Sequence, residues 1–136
     1  MYINSSANKM IKIWKYKAPT RGYAGFHLMA GPSFLQKLKS LEVTKRYEQP
    51  LSKVLDLDLS VPNNGSEIKN YRFVSLFRGE TSSIIVDNQT VVFKIDDSFY
   101  GKLLKGIETI QEDIGDYCIE SDSGESLWFW GPWNEN

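Results

Sequence analysis

Between Ile11 and Lys17 apolar and polar side chains alternate: Ile11 and Ile13 flank Lys12, and Trp14 and Tyr16 precede Lys15 and Lys17. A period of two predicts a strand. Residues 18–25 carry Pro19, Gly22 and Gly25 and read as a loop, and 26–29 read as a second short strand. After Gly31-Pro32-Ser33, the residues Phe34, Leu35, Leu38 and Leu41 fall at helical spacing with lysines opposite, which predicts a helix over about 33–44. Leu55 to Val61 alternates again as a strand, and VPNNGSE at 61–67 is a turn. YRFVSLFR at 71–78 predicts a strand, and residues 82–86 and 90–95 form a hairpin around Asp87-Asn88-Gln89, with Asn88 suited to a positive φ. Asp96, Asp97 and Ser98 are capping candidates for a long helix, about 97–117. Its apolar stripe runs through Phe99, Leu103, Ile107, Ile110, Ile114 and Tyr117. Residues 118–120 and 127–130 supply the last strands. The order predicts an α+β domain: one mainly antiparallel sheet with both helices packed on it.

Composition narrows the class. The chain has 136 residues, 24% of them charged and 41% hydrophobic, which fits one globular domain. A polar tail over 1–9 and a single domain over 10–136 are expected. One cysteine excludes an internal disulfide, and one histidine with one cysteine excludes the common structural zinc sites. No stretch approaches the roughly 20 apolar residues that span a bilayer. The N-terminus lacks the pattern of a secretory signal, so a cytoplasmic protein is expected. The net charge of −1 hides an asymmetry: residues 1–70 carry +6 and residues 71–136 carry −7. Halves that fold onto each other would neutralise it.

Few residues offer chemistry. His27 sits in the apolar segment GFHLM, where a structural histidine on a strand is the plain reading beside a general base. Cys118 in DYCIE has acids on both sides, which raise a thiol pKa and work against reactivity. AGPSF lacks the second glycine and the Lys-Ser/Thr pair of a phosphate loop, and no EF-hand run is present. No metal or cofactor is expected. Lys12, Lys15, Lys17 and Arg21 interleave with Trp14, Tyr16 and Tyr23 as single-strand nucleic-acid binders do, but a pI near 5.8 is far from a basic footprint.

The last 40 residues say most. Glu108, Glu112, Asp113 and Asp116 crowd the C-terminal half of the long helix, the end where the helix dipole disfavours anions by about 0.3–1 kcal/mol each. A face set against its own stability suits a cationic partner as well as it suits plain solvation. In SLWFWGPW, at 126–133, Leu127 and Phe129 share one strand face and Trp128 and Trp130 the other, so one pair lies away from the helices. In this acidic run and tryptophan-bearing terminus the chain resembles bacterial immunity proteins, the cognate antitoxins of contact-dependent-inhibition and other polymorphic toxin systems. The resemblance covers about the last third of the chain. It implies a non-enzymatic protein that binds and neutralises a basic toxin domain.

The leading expectation is therefore a partner-binding protein, with Glu108, Glu112, Asp113 and Asp116 holding a cationic protein and Trp128 and Trp130 anchoring the contact. A second reading is an enzyme or small-ligand protein whose site gathers His27, Arg72, Arg78 and Asp96. A third is a single-strand nucleic-acid binder using Trp14, Tyr16 and the nearby lysines.

Overall fold

The computed structural model describes residues 11–17, 24–40, 46–52, 68–112 and 117–131. Its elements are β1 (Ile11–Tyr16), β2 (Phe26–Ala30), α1 (Pro32–Lys39), β3 (Tyr47–Pro50), β4 (Ile68–Asn70), β5 (Phe73–Arg78), β6 (Ser83–Asp87), β7 (Thr90–Ile95), α2 (Asp97–Glu112), β8 (Tyr117–Glu120) and β9 (Ser126–Phe129). The fold is α+β. The tail 1–9, the alternating run 55–61, the turn 61–67 and the later parts of both expected helices, 41–44 and 113–116, lie outside the described residues.

The expected single sheet is two sheets. One has the order β4-β1-β2-β9-β8 and the other β3-β5-β7-β6. Each contains one parallel pair, β2 with β9 and β5 with β7, among antiparallel neighbours. These pairings join strands far apart in sequence, which periodicity does not report. The core lies where the inner faces of both sheets meet both helices. Ile11, Ile13, Leu28 and Phe129 enter it from the first sheet, Val74, Leu76 and Phe93 from the second, and Phe34, Leu38, Phe99, Leu103 and Ile107 from the helices.

Local chemistry explains the elements. At the tip of the β6–β7 hairpin Asn88 adopts φ 56°, the left-handed conformation asparagine tolerates. Asp96 caps α2: its Oδ1 accepts the Phe99 N–H at 2.8 Å. Pro32 opens α1 at its first turn, where a missing N–H costs nothing. Gln111 Nε2 donates to Ala30 O at 2.8 Å and Tyr100 Oη to Leu38 O at 2.7 Å, tying α2 to β2 and to α1. Tyr117, which the apolar stripe assigns to the helix, opens β8 opposite Phe129. No described helix is long and apolar enough to cross a membrane.

Candidate functional site

The first sheet turns Trp14, Tyr16, His27, Met29 and Trp130 away from the main core, where Trp14, Tyr16 and Met29 form a second buried cluster with Ile68 and Trp130 against it. His27 is wholly buried. Its ring stacks between Trp14, at 5.6 Å between centroids and 21° between planes, and Trp130, at 6.1 Å and 21°, while Tyr16 meets it edge-on at 5.0 Å. The Trp130 Nε1–H donates to His27 Nδ1 at 2.9 Å. That nitrogen therefore carries a lone pair, and a neutral imidazole here holds its proton on Nε2. Trp128 is half-buried and donates its Nε1–H to Ala24 O at 3.1 Å. The Trp14 Nε1–H is buried with no hydrogen-bond partner.

Of the expected partner-binding residues, the fold keeps Glu108 apart from Trp128 and Trp130. Trp128 and Trp130 lie on the outer side of the first sheet. α2 lies on its inner side, close enough that a Cβ on Gly106 would sit 2.7 Å from the Phe129 ring. Glu108 is exposed on α2, with its carboxylate 4.0 Å from Lys39 Nζ. Glu112 is the last residue of α2, and Asp113 and Asp116 lie outside the described residues.

Of the second reading's residues, only Arg78 and Asp96 lie near each other. His27 is locked in the aromatic stack. Asp96 spends its carboxylate on the α2 cap. Arg78 pairs with Asp97 and lies 4.9 Å over the Tyr100 ring. Arg72 is exposed at the start of β5, with its guanidinium 5.6 Å from the Phe73 ring. Trp14 and Tyr16, the stacking platforms of the third reading, are buried, and Arg21 and Tyr23 lie outside the described residues. Among the described residues no group of three or more His, Cys, Asp or Glu side chains is placed to hold a metal ion. Burial, and then the Glu120 carboxylate, push the half-buried Cys118 thiol above its ordinary range.

Sequence reasoning missed the outer face of the second sheet. The strand register sets Phe73, Ser75 and Phe77 on that face of β5, beside Thr90, Val92 and Lys94 of β7 and Asp87, Ile85 and Ser83 of β6. The core residues Val74, Leu76, Val91 and Phe93 take the other face. Phe73 is 39% exposed and Ile85 54%. Arg46 lies 4.8 Å over the Phe77 ring, as Arg72 lies near Phe73. Ser75, between the two phenylalanines, is buried, and its Oγ has no hydrogen-bond partner. The signal was in YRFVSLFR and SSIIV: apolar residues occupy both parities, so one set had to face away from the core.

Between the sheets, the β8–β9 turn carries two carboxylates that the structure holds in charged form. Glu125 Oε1 accepts from Ser121 Oγ at 2.6 Å, from Ser123 Oγ and from the Ile84 N–H at 2.9 Å. Burial alone would raise its pKa, and these hydrogen bonds more than offset it, leaving Glu125 below its ordinary value. A carboxylate depressed in the folded state adds stability above its unfolded pKa and loses it as pH falls through the folded one. Chemical denaturation at neutral pH and at about pH 3 is therefore expected to show a smaller acid loss in Glu125→Gln than in the parent chain. Equal losses would mean the carboxylate adds nothing pH-dependent.

Comparison with protein-family models, with curated proteins and with solved structures finds no match to this chain.

Proposed function

We propose that the protein is a non-enzymatic partner-binding protein that contacts its partner through the outer face of the second sheet. The observation that carries this reading is where exposed apolar area falls. Of the large hydrophobic side chains exposed among the described residues, Phe73 and Ile85 lie on this face, and Val86, beside Val91 on the opposite face, lies at the edge of the same sheet. Aromatic residues and arginine are enriched at contact centres, and here Arg46 and Arg72 lie against Phe77 and Phe73. The enzyme reading draws less support: Arg78 and Asp96 lie near each other at the end of β5, but each has a contact of its own, while Arg72 stands at the other end of β5 and His27 in the first sheet.

The immunity form of the proposal, an acidic helix face against a basic toxin domain, draws on Glu108 alone among the described side chains of that face. Trp128 and Trp130 direct their indole N–H groups into the chain, which leaves them poorer anchors than Phe73 and Ile85. A cytoplasmic location belongs to the same proposal.

The test is affinity capture from native lysate with the parent chain and with Ile85→Lys as baits, read by mass spectrometry. Ile85 is exposed, so the substitution is expected to change stability by no more than about 0.5 kcal/mol. The parent bait is expected to retain one protein near one-to-one, and Ile85→Lys to lose most of it. Equal retention by both baits, or by neither, removes this face as the contact surface.

A further inference from the structure

β6 is an edge strand of the four-stranded sheet, and half of its free edge is already occupied. Asp122 Oδ2 accepts the Ser82 N–H at 2.8 Å, and Glu125 Oε1 accepts the Ile84 N–H at 2.9 Å. The turn also donates back: the Ser123 N–H reaches Ser82 O at 3.3 Å and the Asp122 N–H reaches Ser82 Oγ at 2.8 Å. The β8–β9 turn thus stands where a further strand would pair. These bonds fix the parity of the edge. Backbone groups of Ser82, Ile84 and Val86 point outward, and those of Ser83, Ile85 and Asp87 point to β7.

Beyond the turn the edge carries one charge, the exposed Asp87 at the end of β6. Proteins blunt free edges with charge, proline, bulges or a covering loop. The opposite edge strand, β3, carries Glu48 and Pro50. The run from Thr81 to Val86 carries no charge, no proline and no glycine, and Ile85 and Val86 are 54% and 40% exposed.

We infer that the β8–β9 turn is an autoinhibitory guard, and that the occupant it keeps off the β6 edge is β6 of a second copy of this chain. The strand is complementary to itself about a two-fold axis. An antiparallel pair centred on Ile84 sets Ser82 opposite Val86 and Ile84 opposite Ile84. Every outward amide and carbonyl from Ser82 to Val86 then finds a partner, Ile84 meets Ile84, the small Ser82 and Ser83 face Val86 and Ile85, and no like charges oppose each other. Such a contact is isologous and closes as a dimer. The turn blocks that register because it holds the Ser82 and Ile84 amides. With the turn in place the Ile84 carbonyl and the Val86 backbone remain, and in that register each would meet a group of the second copy that its own turn already holds.

Sedimentation velocity of the full chain at neutral pH tests it. The parent chain is expected to sediment as a monomer. Asp122→Ala/Glu125→Ala is expected to move towards twice the monomer mass as concentration rises. Adding Val86→Pro is expected to restore the monomer, because the lost N–H points outward and the β7 ladder is spared. Val86→Lys, which guards the edge by charge, serves the same purpose if proline perturbs the fold. If the double alanine variant does not fold, Ser121→Ala/Ser123→Ala takes its place, since it loosens Glu125 and leaves both carboxylates. A released turn, shown by fast exchange of the Ile84 amide, in a chain that stays monomeric would overturn the inference. So would a dimer that survives both Val86 variants.

Discussion

Gly106→Ala is expected to destabilise the fold by about 1–2 kcal/mol, although alanine is the better helix former by about 1 kcal/mol. Gly106 lies in the middle of α2 against β9. A Cβ there would stand 2.7 Å from Phe129 Cε2 and Cζ and 2.9 Å from Cδ2. Phe129 is wholly buried, with the Tyr117 ring at 5.6 Å, so its ring cannot swing aside as an exposed side chain could. Overpacking of this kind costs about 1–3 kcal/mol, and the gain in propensity offsets only part of it. Gly101 is the control on the same helix. It is exposed, and a Cβ there meets nothing within 4 Å, so Gly101→Ala is expected to stabilise by about 0.5–1 kcal/mol. Urea denaturation of the two variants should give opposite signs. The cause is checked by adding Phe129→Leu, which shortens the obstructing ring. The double variant Gly106→Ala/Phe129→Leu should be more stable than the sum of the single effects, the mark of residues in contact. Two alanine variants of the same sign would show that helix propensity, not the contact with β9, governs this helix.

That contact also shows what the sequence could and could not disclose. The stripe on α2 was legible because helical period is local, and Phe99, Leu103, Ile107 and Ile110 are all buried as it requires. The β6–β7 hairpin was legible for the same reason, with Asn88 at its tip. The long-range pairings were not. Nothing in FHLM or SLWF says that β2 and β9 run parallel, and nothing in YRFVSLFR says that β5 lies beside β7 in a second sheet. β3 and β4 escaped because they are short and without alternation. Pro50, a strand breaker in sequence, is tolerated because β3 lies at a sheet edge. The candidate surface at the C-terminus was read from strand parity alone. The parity of Trp128 and Trp130 was right. Their hydrogen bonds to Ala24 and His27 were invisible, because they join residues about a hundred positions apart.

The stack around His27 gives the second large effect, and it separates structural from functional surfaces. His27→Leu is expected to cost about 2–4 kcal/mol in denaturant unfolding. The replacement is apolar and fits a buried position, so loss of burial is not the main term. Leucine cannot accept the Trp130 Nε1–H, and a buried donor left without its partner costs about 1–3 kcal/mol. The ring contacts with Trp14, Tyr16 and Trp130 disappear as well, each aromatic pair being worth about 0.5–1.5 kcal/mol beyond its area. The tautomer is open to direct measurement. Nitrogen chemical shifts of the imidazole should report a proton on Nε2 and a bare Nδ1 at neutral pH, and a protonated Nδ1 would refute the assigned hydrogen bond. The two surfaces then make opposite demands. His27→Leu should weaken folding and, below its unfolding transition, leave partner retention unchanged. Ile85→Lys should do the reverse. If His27→Leu lost the partner while still fully folded, the recognition surface would be the aromatic side of the first sheet, and the exposed residues of β5 and β6 would be bystanders.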